Sequence, residues 1–142
     1  MLNVKKTLTK LFSRIGVEEF NLTGYAGFDN AFGVGKYDKA TDTVRLYMFG
    51  ADSANISSST TLFTVPEGYR PSGNVPAIAV MATDSSNGIV YYLTVGADGT
   101  VKQNLTSYLR RVVAVCEYKL GGVIRTLKNA ISNLYREGVA VC

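Results

Sequence analysis

The chain has no histidine and no tryptophan, only two cysteines and three prolines among its 142 residues, and charged residues make up just 18% of it. Each shortage removes a class of chemistry. Without histidine, imidazole general-base catalysis and imidazole-ligated metals are excluded in this chain. Cys116 and Cys142 are too few for a disulfide framework or a thiolate metal cluster. Cys116 lies in an apolar stretch, where a free cysteine acts as a small buried hydrophobe, and Cys142 reads as an unpaired thiol. No cofactor is expected. No apolar run approaches the ~18 residues that span a bilayer. Lys5 and Lys6 are followed by polar Thr7, Thr9 and Lys10, so no signal-peptide core forms. The expectation is a protein made in the cytoplasm, with no export signal of its own and no membrane insertion.

What is present points to β structure. The length suits one domain, which buries roughly 68–70% of the surface its unfolded chain exposes. Hydrophobic residues reach 46%, with fourteen Gly, nine Tyr and long Val/Thr runs. The formal charge of +4 sits at the two ends. Lys5, Lys6, Lys10 and Arg14 carry the first sixteen residues, and Arg125, Lys128 and Arg136 face Glu137 in the last twenty-two. Residues 17–120 hold eight basic against ten acidic side chains. Nucleic-acid binders more often carry a basic stripe on the folded body, so solvated helix faces explain the charge better than a nucleic-acid partner.

Residues 1–16 read as a short amphipathic helix, with Asn3 as N-cap, Val4, Leu8, Leu11 and Ile15 on one side, and Gly16 ending it. Glu18 to Leu22 fits a strand, and the Gly/aromatic mixture from Gly24 to Tyr37 suits twisted β-ribbons with close backbone contacts. Gly33-Val34-Gly35-Lys36 is not a phosphate loop: Asn30 stands where the first glycine is needed, and Tyr37 follows the lysine. Thr43 to Phe49 alternates cleanly, Val44, Leu46 and Met48 against Arg45, Tyr47 and Phe49. A polar loop, Gly50 to Ser59, leads to a strand, elbow and strand in TTLFTVPEGYRPSGNVPAIAV, Thr60 to Val80. Pro76 marks a sheet edge or a strand's first residues. Thr83 to Gly88 turns into a strand over Ile89 to Val95, and Ala97-Asp98-Gly99-Thr100 makes a tight hairpin before Val101 to Leu105. Tyr108 to Leu120 is the longest strand, with Val113 and Val115 on one face and Val112, Ala114 and Cys116 on the other, which places it centrally in a sandwich. Gly121-Gly122 breaks it. Ile124, Leu127, Ile131 and Leu134 then line a second amphipathic helix, capped by Gly138. The expected architecture is a mainly β, jelly-roll-like antiparallel sandwich over 17–120, flanked by helices in 1–16 and 121–142. Those helical seams, too short to be stable alone, serve oligomerisation or docking.

Candidate chemistry is sparse. Asp29, Asp38, Asp42, Asp52, Asp84 and Asp98 stand where turns want aspartate, so a paired-carboxylate reading loses to the structural one. Asn21, Asn55 and Asn104 open Asn-x-Ser/Thr sequons that matter only in a secretory pathway. The polar loops Ala51–Ser59 and Thr83–Gly88 offer Ser53, Asn55, Asp84, Ser85 and Asn87 as adaptable hydrogen-bonding groups for a sugar or protein. Loops of this composition are also ordinary solvated connections.

Val65, Pro66, Gly68, Tyr69, Arg70 and Pro71, followed by Asp98, Gly99 and Val101, carry a resemblance. Thr60 to Leu120 resembles the C-terminal head domain of bacteriophage tail-fibre, baseplate and receptor-binding proteins, in which an apolar strand enters a proline-pinned GYRP elbow. The resemblance implies a β-sandwich head on the virion, assembled as a homotrimer, that binds saccharide or protein on the host surface without catalysis. Tyr69, Arg70 and Pro71 are expected to shape the elbow rather than touch a receptor. With a helix after the last strand, the chain suits a small virion protein docked on other virion proteins. The alternatives are a head-fibre or decoration protein that recognises nothing, and a small polysaccharide-degrading module.

Overall fold

The computed structural model describes residues 16–53 and 55–121 together with Ile131. Eight strands follow one another as β1 (Val17–Asn21), β2 (Asn30–Asp38), β3 (Thr43–Ala51), β4 (Phe63–Thr64), β5 (Val75–Thr83), β6 (Ile89–Val95), β7 (Thr100–Gln103) and β8 (Leu109–Lys119). Every pairing is antiparallel, and together they make one sheet ordered β1-β2-β3-β8-β5-β6-β7-β4. The mainly β, antiparallel character expected of 17–120 is what the chain adopts. The seam residues Val4, Leu8, Leu11, Ile15, Ile124, Leu127 and Leu134 lie outside the described residues, as does Cys142. Ile131 is helical and exposed.

The sheet curls into a half-barrel around its core. At the far sides of the curl, Thr23, just past β1, and Thr64 in β4 exchange N–H···O bonds of 3.1 and 2.7 Å. Alternation decides which side chains enter the curl. Val44, Leu46 and Met48 of β3, Ala77, Ala79 and Met81 of β5, and Val112, Ala114 and Cys116 of β8 are all buried, and Phe63 and Val65 close the far side. β2 follows the same rule with side chains missing. Its inward positions include Gly33 and Gly35, and their space is filled by Leu22 and Phe20 from the neighbouring segment. A Cβ on Gly33 would stand 2.8 Å from Leu22 Cβ, and one on Gly35 would enter the Phe20 ring. The close contacts expected of this Gly/aromatic stretch are therefore real, and β2 contains the rejected phosphate-loop residues.

Pro76 sits where the pattern requires. The β5–β8 ladder starts at Ile78↔Val115, so on that side the missing N–H of Pro76 costs no strand pairing. Its carbonyl accepts a contact from Cys116 Sγ at 3.5 Å, and burial pushes that thiol's pKa up to about 11.

β8 corrects one expectation. It is central, between β3 and β5, but only one of its faces is covered. Val113 and Val115 are 54% and 50% exposed. They lie in two cross-strand rows that run over five strands. The first row is Phe32–Phe49–Val113–Val80–Val90, and the second is Val34–Tyr47–Val115–Ile78–Tyr92. Ion-paired residues border these rows at both ends. Glu19–Lys36 (3.7 Å) and Arg45–Glu117 (3.3 Å) lie on one border, and Asp52–Arg111 (3.5 Å) on the other. The same side of the sheet that alternation marks as apolar is thus open to solvent in a single chain.

Candidate functional site

The elbow sits at one end of the sheet and is held from several directions. Gly68 at φ +98 makes the turn, and Arg70 Nε donates to the Val65 carbonyl at 2.9 Å. Gly99, the positive-φ residue of the Asp98-Gly99 hairpin, lies directly against that arginine, and a Cβ there would stand 2.6 Å from Val65 O. The Tyr69 ring stacks on Phe20 with centroids 4.0 Å apart. Its hydroxyl donates to Glu18 Oε2 at 2.6 Å, and Lys39 Nζ approaches the same carboxylate at 3.0 Å. These partners hold the Glu18 carboxyl below the usual range, chiefly through the tyrosine hydrogen bond, and the same bond raises Tyr69. Tyr118 donates to the Tyr69 carbonyl from within β8, and burial lifts its pKa above the usual tyrosine range. Tyr69 and Arg70 are thus engaged with the body of the fold, as expected of residues that shape the elbow.

Turn aspartates are occupied in the same way. Asp42, at φ +54, accepts from the Tyr37 hydroxyl at 2.6 Å and from the Gly121 N–H. Asp98 accepts from Thr100 N and Oγ1 at 3.0 and 2.8 Å, which lowers its pKa.

The opposite end of the sheet gathers three connections around the first residues of β8. Ile56, from the loop after β3, exchanges hydrogen bonds of 2.9 and 2.8 Å with Leu109. Asp84 N, in the β5–β6 turn, donates to Tyr108 O at 3.1 Å. From the β7–β8 side, buried Gln103 donates to Ile56 O at 2.9 Å and Ser107 O at 3.2 Å. Buried Thr83 fixes the β5–β6 turn by accepting from Ser85 N and Ser86 N at 3.3 and 3.1 Å.

This arrangement sorts the residues proposed from sequence. Ser53 is buried, and its hydroxyl bonds the Leu109 and Arg110 carbonyls at 3.1 Å each, so it anchors the loop and does not face a ligand. Asn55, Asp84, Ser85 and Asn87 are exposed on loops that converge on the same end. Sequence reasoning missed their neighbours. A small cleft of about 170 Å³ is lined by Ala82, Asn87, Arg110 and Arg111. Two consecutive arginines in a strand of period two should point to opposite faces. Here the register jumps from Ala82↔Arg111 to Thr83↔Leu109, and the extra residue lets both arginines stay exposed. The available signal was the Arg110-Arg111 doublet at the head of an apolar strand. Guanidinium forks beside an amide suit carboxylate, phosphate or sugar oxygens.

No family model matches the chain, and no curated protein matches it.

Proposed function

We propose that the protein is a bacteriophage virion surface or tail protein that attaches to the host envelope by binding, not by catalysis. The observation that carries this reading is the convergence of three connections on one end of a rigid sheet, with the β8 bulge presenting Arg110 and Arg111 beside Asn87. Asn55, Asp84 and Ser85 border that centre, and the partner is a saccharide or protein of the host surface. The resemblance of Thr60–Leu120 to phage head domains supports it, because the elbow residues form a structural joint at the other end and leave the loop end for recognition. In this reading the curled sheet acts as a jelly-roll-like sandwich head, its two limbs serving as layers. Short helices at both termini flank it, copies assemble as a homotrimer, and other virion proteins hold it on a particle assembled in the host cytoplasm. Nucleic acid and lipid are not its targets.

Purified full-length protein tested against host cells or a glycan array decides the matter. Saturable binding that falls at least tenfold in an Arg110→Ala/Arg111→Ala variant of unchanged melting temperature supports the assignment; no binding by the native protein sinks it. The exposed apolar rows favour one second reading, a decoration protein that stabilises the particle without recognising the host. That reading predicts binding to particles and none to cells.

A further inference from the structure

From the two exposed rows we infer that the outer face of the sheet, and not only the terminal helices, is where copies of this chain meet. Nine large side chains there are 38–70% exposed, and shared between two neighbours they give each contact roughly half of the ~800 Å² that one partner contributes to a standard interface, so the assembly relies on both contacts together. Isolated exposed hydrophobics need no explanation, but a continuous band five strands wide does. Its make-up is that of an interface core, with Val113 and Val115 at the centre, aromatic rings to either side and charge confined to the border.

The border identifies the occupant. Most of the charge flanking the rows is balanced within the chain, Glu19 by Lys36, Arg45 by Glu117 and Asp52 by Arg111, and Arg110 is left over at the loop end. A band whose flanking charges nearly cancel neither strongly repels its own copy nor attracts a strongly charged surface, so a second copy of this chain fits it better than an acidic or basic partner.

Shape and composition give the mode of contact. A sheet curled around its core is convex on the outside, so the face meets one neighbour on each flank. The flanks differ: Phe32, Tyr47 and Phe49 make one aromatic, and Ile78, Val80 and Val90 make the other mainly aliphatic, with Tyr92 at its rim. The aromatic flank of one copy packs on the mainly aliphatic flank of the next, a heterologous contact that closes into a ring under rotational symmetry. A ring of three rests on the homotrimer proposed above; the choice of face does not. β8 then acquires the second covering that its two apolar faces call for, from neighbouring chains.

Sedimentation equilibrium of the full chain tests this. The native protein should associate at low micromolar concentration. Val115→Glu and Ile78→Glu, both at outward positions and expected to keep the native melting temperature within a few degrees, should each raise the dissociation constant at least 100-fold. Leu127→Glu, on the helical seam, should do less. Under oxidation, Phe49→Cys/Ile78→Cys should form intermolecular disulfides that neither single variant forms. A monomeric native chain overturns the inference, as does a Val115→Glu protein that assembles normally. If the native protein is a dimer that Val115→Glu dissociates, the face stands and the trimer falls. Host binding by a dissociated variant would show that attachment does not depend on assembly.

Discussion

The two ends of the sheet use the same residue types for opposite purposes. At the elbow, Arg70 is directed back onto the Val65 carbonyl, and Tyr69 lies between Phe20, Glu18 and Tyr118. At the other end, Arg110 and Arg111 are turned outward by a bulge, and the buried polar groups Ser53, Thr83 and Gln103 hold the loops from below. The difference is one of partners. An arginine with a backbone carbonyl within reach stiffens a joint, whereas Arg110, beside an Arg111 held only by its exposed pair with Asp52, can meet something else. Motif strength in the sequence therefore tracked structural need, and the binding candidates came from a weaker signal.

If the comparison holds, damage at the elbow should cost stability and damage at the loop end should not. The largest effect is expected for Gly99→Ala, which places a Cβ against Arg70 and Val65 at a positive φ. Backbone strain of ~1–3 kcal/mol and overpacking of a similar size should bring the loss in urea unfolding to about 2–5 kcal/mol. Arg70→Ala removes a charged donor from a backbone carbonyl and should cost about 1.5–3 kcal/mol while host binding is unchanged. Tyr69→Phe should be smaller and visible mainly in acid. Glu18 has a lowered pKa in the folded state, so its contribution is present above the usual glutamate value of about 4.3 and is lost as pH falls through the lowered one. Urea midpoints between pH 6 and 3 should accordingly fall less steeply in the variant. Arg110→Ala/Arg111→Ala should shift unfolding by no more than ~0.5 kcal/mol. A large loss of stability there would erase the contrast between the two ends.

Much of this was legible in the residues. The alternation over Thr43–Phe49 assigned faces correctly because each inward position carries a side chain, and Asp98-Gly99 announced its hairpin because that turn needs a positive φ. β2 was harder. Its inward positions at Gly33 and Gly35 carry no side chain, and the apolar volume belongs to Leu22 and Phe20 in another strand. Period two also says which residues share a face but not what covers it, so the second apolar face of β8 read as buried. The arginine doublet was opaque because a bulge is a property of two strands in register, and one strand's sequence does not show it. Ser53 looked like a surface hydroxyl because nothing local reveals that the carbonyls of Leu109 and Arg110 lie beside it.

The meeting of Thr23 with Thr64 has a consequence for solubility. Sheets usually grow into fibrils at their outermost strands, where unpaired amides offer a template. Here those strands are five and two residues long, and this pair of threonines ties the regions around them together. Strand-by-strand accretion finds little to hold, even with so much hydrocarbon bare on the outer face.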